Sequence, residues 1–224
     1  MHLLLVTATD FEVSEIASWL NDPGIQHNAP KPELLISGVG QLKTCYAIQK
    51  KINAKRPDLV IQAGFGGSSS KEDIGKVYVI SSEKMADLGV MENTGFTNIF
   101  DMGFEQPDLF PFKEGKLINP YKFLLEWTGL PSIDGNTVNE IKAGDFAGFQ
   151  LNKVPVVESM EGAALHFVCL MEKIPFIQIR SVSNLTGDRD KSRWKLKEAR
   201  ESLHKSLVLL FQKLENANET LFRI

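Results

Sequence analysis

Two cysteines in 224 residues exclude a disulfide framework. Cys45 and Cys169 both fall on apolar faces of helical stretches, where buried thiols in a reducing compartment are expected. No His, Cys or Asp cluster has metal-ligand spacing and the four histidines are scattered, so no metal and no redox cofactor is expected. There is no basic excess either: 25 Lys and Arg stand against 28 Asp and Glu, a net charge of −3. That balance excludes the electrostatic footprint of a nucleic-acid binder. No apolar run reaches the roughly 18 residues that suggest a membrane span. The apolar run at Met1–Val6 is too short for a secretion signal and lacks a basic leader, so a cytoplasmic location is expected. Repeats, low-complexity tracts and Pro/Ser-rich linkers are missing, so residues 1–224 are expected to form a single domain.

What the chain does have is alternation. Hydrophobic residues make up 43% of it. Leu3–Thr7 is a short apolar run, followed by Val13, Ile16, Ala17 and Leu20 at helical spacing. Leu34–Ser37 leads through Gly38-Val-Gly40 into a helix with Cys45, Ile48 and Ile52 on one face. Leu59–Ala63 follows the helix stop Arg-Pro-Asp, and Val77–Ser81 opens after Gly75-Lys. Val154–Val157 precedes a helix from Gly162 to about Glu172. Phe176–Ser181 comes next, and a last helix carries Leu196, Ala199, Leu203, Leu207 and Leu210. The order predicts an α/β fold: a mostly parallel, mixed central sheet with helices on both faces. The stretch from about Asn93 to Gly135 shows little periodicity. It is rich in Phe, Pro and Gly and reads equally as pocket lining, oligomer interface or surface loops.

In such sheets ligands bind beyond the carboxyl ends of the strands, and four polar clusters fall there. Glu12 follows the first strand at a helix start, where an ionised carboxylate is favoured, although such acids often only stabilise the helix. Gly64-Phe-Gly-Gly-Ser-Ser-Ser70 has backbone that a ligand can approach closely, but it is neither a Walker loop nor a dinucleotide fingerprint; a flexible turn is the plain alternative. Glu158 and Glu161 stand at an otherwise apolar strand-to-helix junction and cannot both enter the interior unpartnered. Ser183 and Asn184 end an apolar strand, and Trp194 closes a charge-dense loop that suits a ligand lid. One acid to activate water, one to hold hydroxyls, an amide to read polar edges and an aromatic to stack suit a nucleoside site. His166 is expected to be structural.

Ser159-Met-Glu-Gly-Ala-Ala164 with Ile179-Arg-Ser-Val-Ser-Asn184 resembles the nucleoside phosphorylase and nucleosidase superfamily. So does Ser37-Gly-Val-Gly40 with Arg56-Pro-Asp-Leu-Val-Ile-Gln-Ala-Gly64. Val157-Glu-Ser-Met-Glu-Gly162, Arg189-Asp-Lys-Ser-Arg-Trp194 and Glu83-Lys-Met-Ala-Asp-Leu-Gly89 are similar to the futalosine hydrolases, which release hypoxanthine from futalosine in a menaquinone route. The resemblance implies a three-layer α/β/α domain and a homodimer or larger assembly. It implies Glu12 as the water-activating acid, Met160 and Glu161 beneath the ribose, and Asn184 at the purine. Ser183, Trp194, Gly64, Phe65 and Gly66 would then contact a small purine nucleoside. Adenine-releasing relatives have Asp where this chain has Asn184. An amide donates to a 6-oxo group that an ionised Asp would repel, which favours a 6-oxopurine. Phosphorylases hold phosphate with arginines after the first strand and before the Gly turn. Here 7–12 contains no Arg and Gln62 stands near the second position, which favours hydrolysis. A phosphorylase and an adenine-releasing nucleosidase are the alternatives. The segment Thr137-Val-Asn-Glu-Ile-Lys-Ala143 departs from the family pattern and leaves the residues flanking the base unassigned.

Overall fold

The computed structural model describes residues 1–25, 31–93, 95–141 and 155–215. Ten strands and five α-helices follow in order: β1 (Leu3–Thr7), α1 (Asp10–Leu20), β2 (Glu33–Ile36), α2 (Gln41–Ala54), β3 (Leu59–Ser68), β4 (Val77–Met85), β5 (Gly89–Glu92), β6 (Gly95–Asn98), β7 (Leu117–Ile118), α3 (Lys122–Thr128), β8 (Ser132–Thr137), β9 (Val156–Ser159), α4 (Gly162–Met171), β10 (Phe176–Leu185) and α5 (Leu196–Glu215). The main sheet runs β10-β4-β8-β9-β3-β1-β2, with β7 beside β4 and β5–β6 forming a separate hairpin. It is mixed. β1–β2, β1–β3, β3–β10, β4–β8 and β8–β9 are parallel, whereas β4–β10, β3–β9 and β4–β7 are antiparallel.

β10 also pairs with β3, so β3, β9, β8, β4 and β10 close into a ring and β1 and β2 extend from it. Within the ring Tyr78, Ile80, Val157 and Val182 form a small core of their own. Successive residues of β1 feed two larger cores. Leu3 and Leu5 pack with α1, α3 and α5 through Val13, Leu124 and Leu207. Leu4 and Val6 pack with α2 and α4 through Ile48 and Leu165. That is why β1 is apolar throughout rather than alternating. β2, at the edge, alternates instead, with Leu34 and Ile36 outward.

The expected elements are present, several of them longer. β10 runs on to Leu185, and β3 continues as strand through Gly64–Ser68, where a turn was the plain alternative. The glycines there admit side chains from neighbouring elements: a Cβ on Gly66 would lie 2.5 Å from Val157 Cγ1. The last strand before α4 begins at Val156, and Val154 lies outside the described residues. Within 93–141 the chain forms β6, β7, α3 and β8, with Leu117 and Leu124 buried in the cores and Phe104 77% exposed. Residues 142–150 lie outside the described residues. Among the described residues no helix is long and apolar enough to cross a membrane. Cys45 and Cys169 are both unpaired, and Cys169 is buried.

Candidate active site

A cavity of about 310 Å³ opens at the carboxyl ends of β1, β3 and β10 and at the β9–α4 junction. Its wall includes Glu12, Phe65, Gly66, Met160, Glu161, Ser183, Asn184 and Trp194. The structure thus brings together every residue the sequence nominated except Gly64, which does not reach the wall. Gly64 has a different use. A Cβ at this position would lie 2.7 Å from both Arg180 Nη1 and Glu12 Oε1; the glycine lets those two groups converge beneath the cavity.

Glu12 is the third residue of α1 and completes a capping box with Thr9. Its Oε2 accepts from Thr9 N–H at 3.0 Å, Thr9 Oγ1 at 3.0 Å and Thr7 Oγ1 at 3.1 Å. A capping acid needs no more than that. Its Oε1, however, also accepts the Phe65 amide of β3 at 2.9 Å, which ties the carboxylate to β3 at the cavity wall.

Glu161 caps the start of α4 and is almost fully buried. Its Oε1 accepts the Gly40 amide at 3.0 Å, and its Oε2 stands 3.6 Å from Arg180 Nη2. Gly38-Val-Gly40, which fits no phosphate-loop pattern, is therefore a clamp for this carboxylate. Gly40 has φ +96°, a conformation that excludes most side chains. Arg180 is 2% exposed; it also donates to Gln62 Oε1 at 3.0 Å and to the Phe65 carbonyl at 3.4 Å. The sequence reading gave Arg180 no role, although an arginine inside an otherwise apolar strand is itself a signal of a buried partner.

Beneath Glu161 lies a second buried acid. Glu83 accepts from Gln178 Nε2 at 2.7 Å and from Thr137 Oγ1 at 2.8 Å. The same Thr137 oxygen accepts the Ala163 amide of α4 at 2.7 Å. Burial outweighs these donors and the nearby Arg180, and pushes the Glu83 carboxyl up to about 7. Glu158 is also pushed up to about 7, by burial and then by the charge of Asp87. His166 Nδ1 donates to the Leu117 carbonyl at 2.9 Å, and burial holds the imidazole down at about 4, in keeping with a structural role.

Ser183 and Asn184 line the cavity from β10. Ser183 Oγ donates to Asn184 Oδ1 at 2.7 Å, and Asn184 Nδ2 donates to the Leu185 carbonyl at 2.8 Å. One amide hydrogen is left for a ligand. The loop that follows is braced. Arg193 grips Asp188 through Nε at 2.8 Å and Nη2 at 2.6 Å, and Trp194 Nε1 donates to the Asp188 carbonyl at 2.9 Å. Trp194 is held at the rim, with Arg189 5.8 Å from its ring centre. Val138 and Ile141 add apolar wall from the segment left unassigned above. Among the described residues no group of His, Cys, Asp or Glu is arranged to hold a metal ion.

No family model matches the chain. It is nevertheless homologous along most of its length to known enzymes. It is 29% identical to a futalosine hydrolase from Streptomyces coelicolor over 96% of this chain and 97% of that one. It shares the fold of the futalosine hydrolase of Helicobacter pylori, with a TM-score of 0.73, 15% identity and coverage of 95% and 98%. It shares the fold of a 5'-methylthioadenosine/S-adenosylhomocysteine nucleosidase from Colwellia psychrerythraea, solved with adenine, with a TM-score of 0.78, 19% identity and 96% of each chain covered.

Proposed function

We propose that the chain is an N-ribosyl hydrolase acting on the N-glycosidic bond of a 6-oxopurine nucleoside. The substrate is futalosine, cleaved to dehypoxanthinyl futalosine and hypoxanthine in menaquinone biosynthesis. The observation that carries the reading is one cavity lined by Glu12, Glu161 and Asn184 together, in a homologue of futalosine hydrolases.

In this reading Glu161 accepts hydrogen bonds from the ribose 2' and 3' hydroxyls. Its charge steadies the ring as the C1'–N9 bond stretches and positive charge grows on the sugar. Met160 packs beneath the ribose and Trp194 covers the base. Water attacks C1' and passes a proton to Glu12, a general-base role worth about 10²–10⁴-fold. The electron pair of the broken bond leaves on the purine. Asn184 donates a hydrogen bond to that developing anion, which afterwards takes its proton from solvent. Phosphorolysis is disfavoured because the buried cation of the site, Arg180, is already engaged by Glu161 and Gln62, and Glu12 would repel phosphate.

The deciding experiment incubates the protein with futalosine, inosine and methylthioadenosine, with and without phosphate, and measures the base released. Hypoxanthine from futalosine without phosphate is the expected result. Phosphate dependence would make it a phosphorylase, and adenine alone would make it a methylthioadenosine-type nucleosidase. A cytoplasmic location goes with this reading, supported by the unpaired thiols. A homodimer or larger assembly does too, supported by the exposed apolar side chains Leu42 (88%) and Tyr46 on α2 and Phe104 and Phe110 beyond β6. Sedimentation giving a monomer would remove the assembly from the proposal.

A further inference from the structure

Of the two glutamates at the β9–α4 junction, Glu161 has a role in the reading above and Glu158 has none. Glu158 lines the same cavity. On β9 it pairs with Asn136 of β8 on one side and with Gly67 of β3 on the other, and Gly67 pairs in turn with Asn184 of β10. Glu158, Gly67 and Asn184 therefore form one row across adjacent strands. Two strand spacings, about 10 Å, separate its outer members. The middle position has no side chain; a Cβ there would meet Thr186 Oγ1 at 3.0 Å and Asn184 Nδ2 at 3.4 Å. The row has a polar side chain at each end and all three residues line the cavity, a placement that suits the two edges of one heterocycle.

The carboxyl of Glu158 is unlike the other acids of the site. Glu12, Glu161 and Glu83 each accept hydrogen bonds from neighbouring protein groups. Among the described residues none reaches the carboxyl of Glu158, and the charged group that acts on it, Asp87, is another acid, itself held by the Asn139 and Glu140 amides. A partly buried carboxyl without a donor is costly. The cost falls when a ligand brings a donor to it. The 6-oxopurine ring has one in the right relation to Asn184: N1–H lies on one side of the 6-oxo group and N7 on the other. A 6-aminopurine offers a lone pair at N1 instead.

Building on the nucleosidase reading, we propose that Glu158 is the second base-reading residue of the site: its carboxylate accepts the N1–H of a 6-oxopurine, while Asn184 serves the O6 and N7 edge. Discrimination against 6-aminopurines then rests on both ends of the row.

The test uses three substrates: a 6-oxopurine nucleoside that the protein cleaves, its N1-methyl derivative and its 6-amino counterpart. The intact chain, Glu158→Gln and Glu158→Val are compared by kcat/KM. The unaltered protein should cleave the N1-methyl substrate at least ~10-fold to 10²-fold less well, the effect of leaving a buried acceptor unpaired. In Glu158→Val that penalty should shrink to within about 3-fold, because the partner of N1–H is gone. In Glu158→Gln, whose amide can also donate, the 6-oxo over 6-amino preference should fall ~10-fold or more. A penalty for the N1-methyl substrate that persists undiminished in Glu158→Val overturns the assignment. If no nucleoside releases base, the hydrolase reading fails, and the role of Glu158 is then read by calorimetry with free bases. Hypoxanthine should bind more tightly than 1-methylhypoxanthine to the intact chain and equally to Glu158→Val; equal affinities for the intact chain overturn it.

Discussion

Glu12 serves two ends with one carboxylate. Through Oε2 it stabilises the first turn of α1, and through Oε1 it is tied to β3. Replacing it with Gln puts an amide NH₂ against either the Thr9 or the Phe65 N–H, so one of these donors loses its acceptor. Glu12→Gln is expected to lower stability by about 1 kcal/mol, the usual scale of a lost cap. It should also lower the rate of base release by about 10²–10⁴-fold, the scale of a lost general base, with substrate affinity little changed. Thermal melts and single-turnover kinetics separate the two effects. Near-normal turnover would leave Glu12 as a helix cap alone. The sequence already showed Glu12 beside a helix start; it did not show the Phe65 amide, because that partner is 53 residues away.

At the level of the element, the start of α4 works against helix propensity. A glycine in a helix costs up to ~1 kcal/mol relative to alanine, and propensity alone would make Gly162→Ala stabilising. The packing reverses that sign. A Cβ on Gly162 would lie 1.9 Å from Glu83 Oε1 and 2.4 Å from Gln178 Nε2, so the buried acid or the helix must move. Gly162→Ala is expected to destabilise by about 3 kcal/mol or more, at the upper end of overpacking, and to weaken turnover because Glu161 is the preceding residue. Denaturant unfolding of the variant checks the sign. A more stable protein would show that Glu83 relaxes without cost. The Ser159-Met-Glu-Gly162 string marked this junction in the sequence, but the reason for its glycine came from β4 and β10.

Across the whole molecule, closure of the ring brings Glu83 of β4, Gln178 and Arg180 of β10 and His166 of α4 into one buried cluster. Two of its members act on stability in opposite directions over one pH range. Glu83 titrates at about 7 in the fold against an ordinary 4.5. Its contribution is complete below about 4.5 and is lost as pH rises through 7. His166 titrates at about 4 against an ordinary 6.5. Its contribution is complete above about 6.5 and is lost as pH falls through 4. Glu158, also pushed up to about 7, adds its loss to that of Glu83, so the melting temperature of the intact protein should fall between pH 4.5 and 6.5. Glu83→Gln leaves Glu158 opposed to His166, and its melting temperature should be nearly level across that window. Melts at several pH values in the window decide; parallel curves for the two proteins would show that Glu83 does not titrate there.

By itself the sequence determined what local chemistry can carry. The order of strands and helices outside residues 89–150, the two-sided burial of β1, β3 and β10, and the residues Glu12, Glu161, Ser183, Asn184 and Trp194 were legible, because apolar period and strand-end polarity are local properties; Met160 was named by the family resemblance. What only the tertiary structure decided depends on which strands meet and in what register. Examples are the closure of the ring, Gly40 as the clamp on a glutamate 121 residues away, Arg180 bound to Gln62 at a separation of 118, and Glu158 set opposite Asn184 across Gly67. Pairing register is a property of distant segments packed together, and a slip of one residue would turn each of these side chains to the other face.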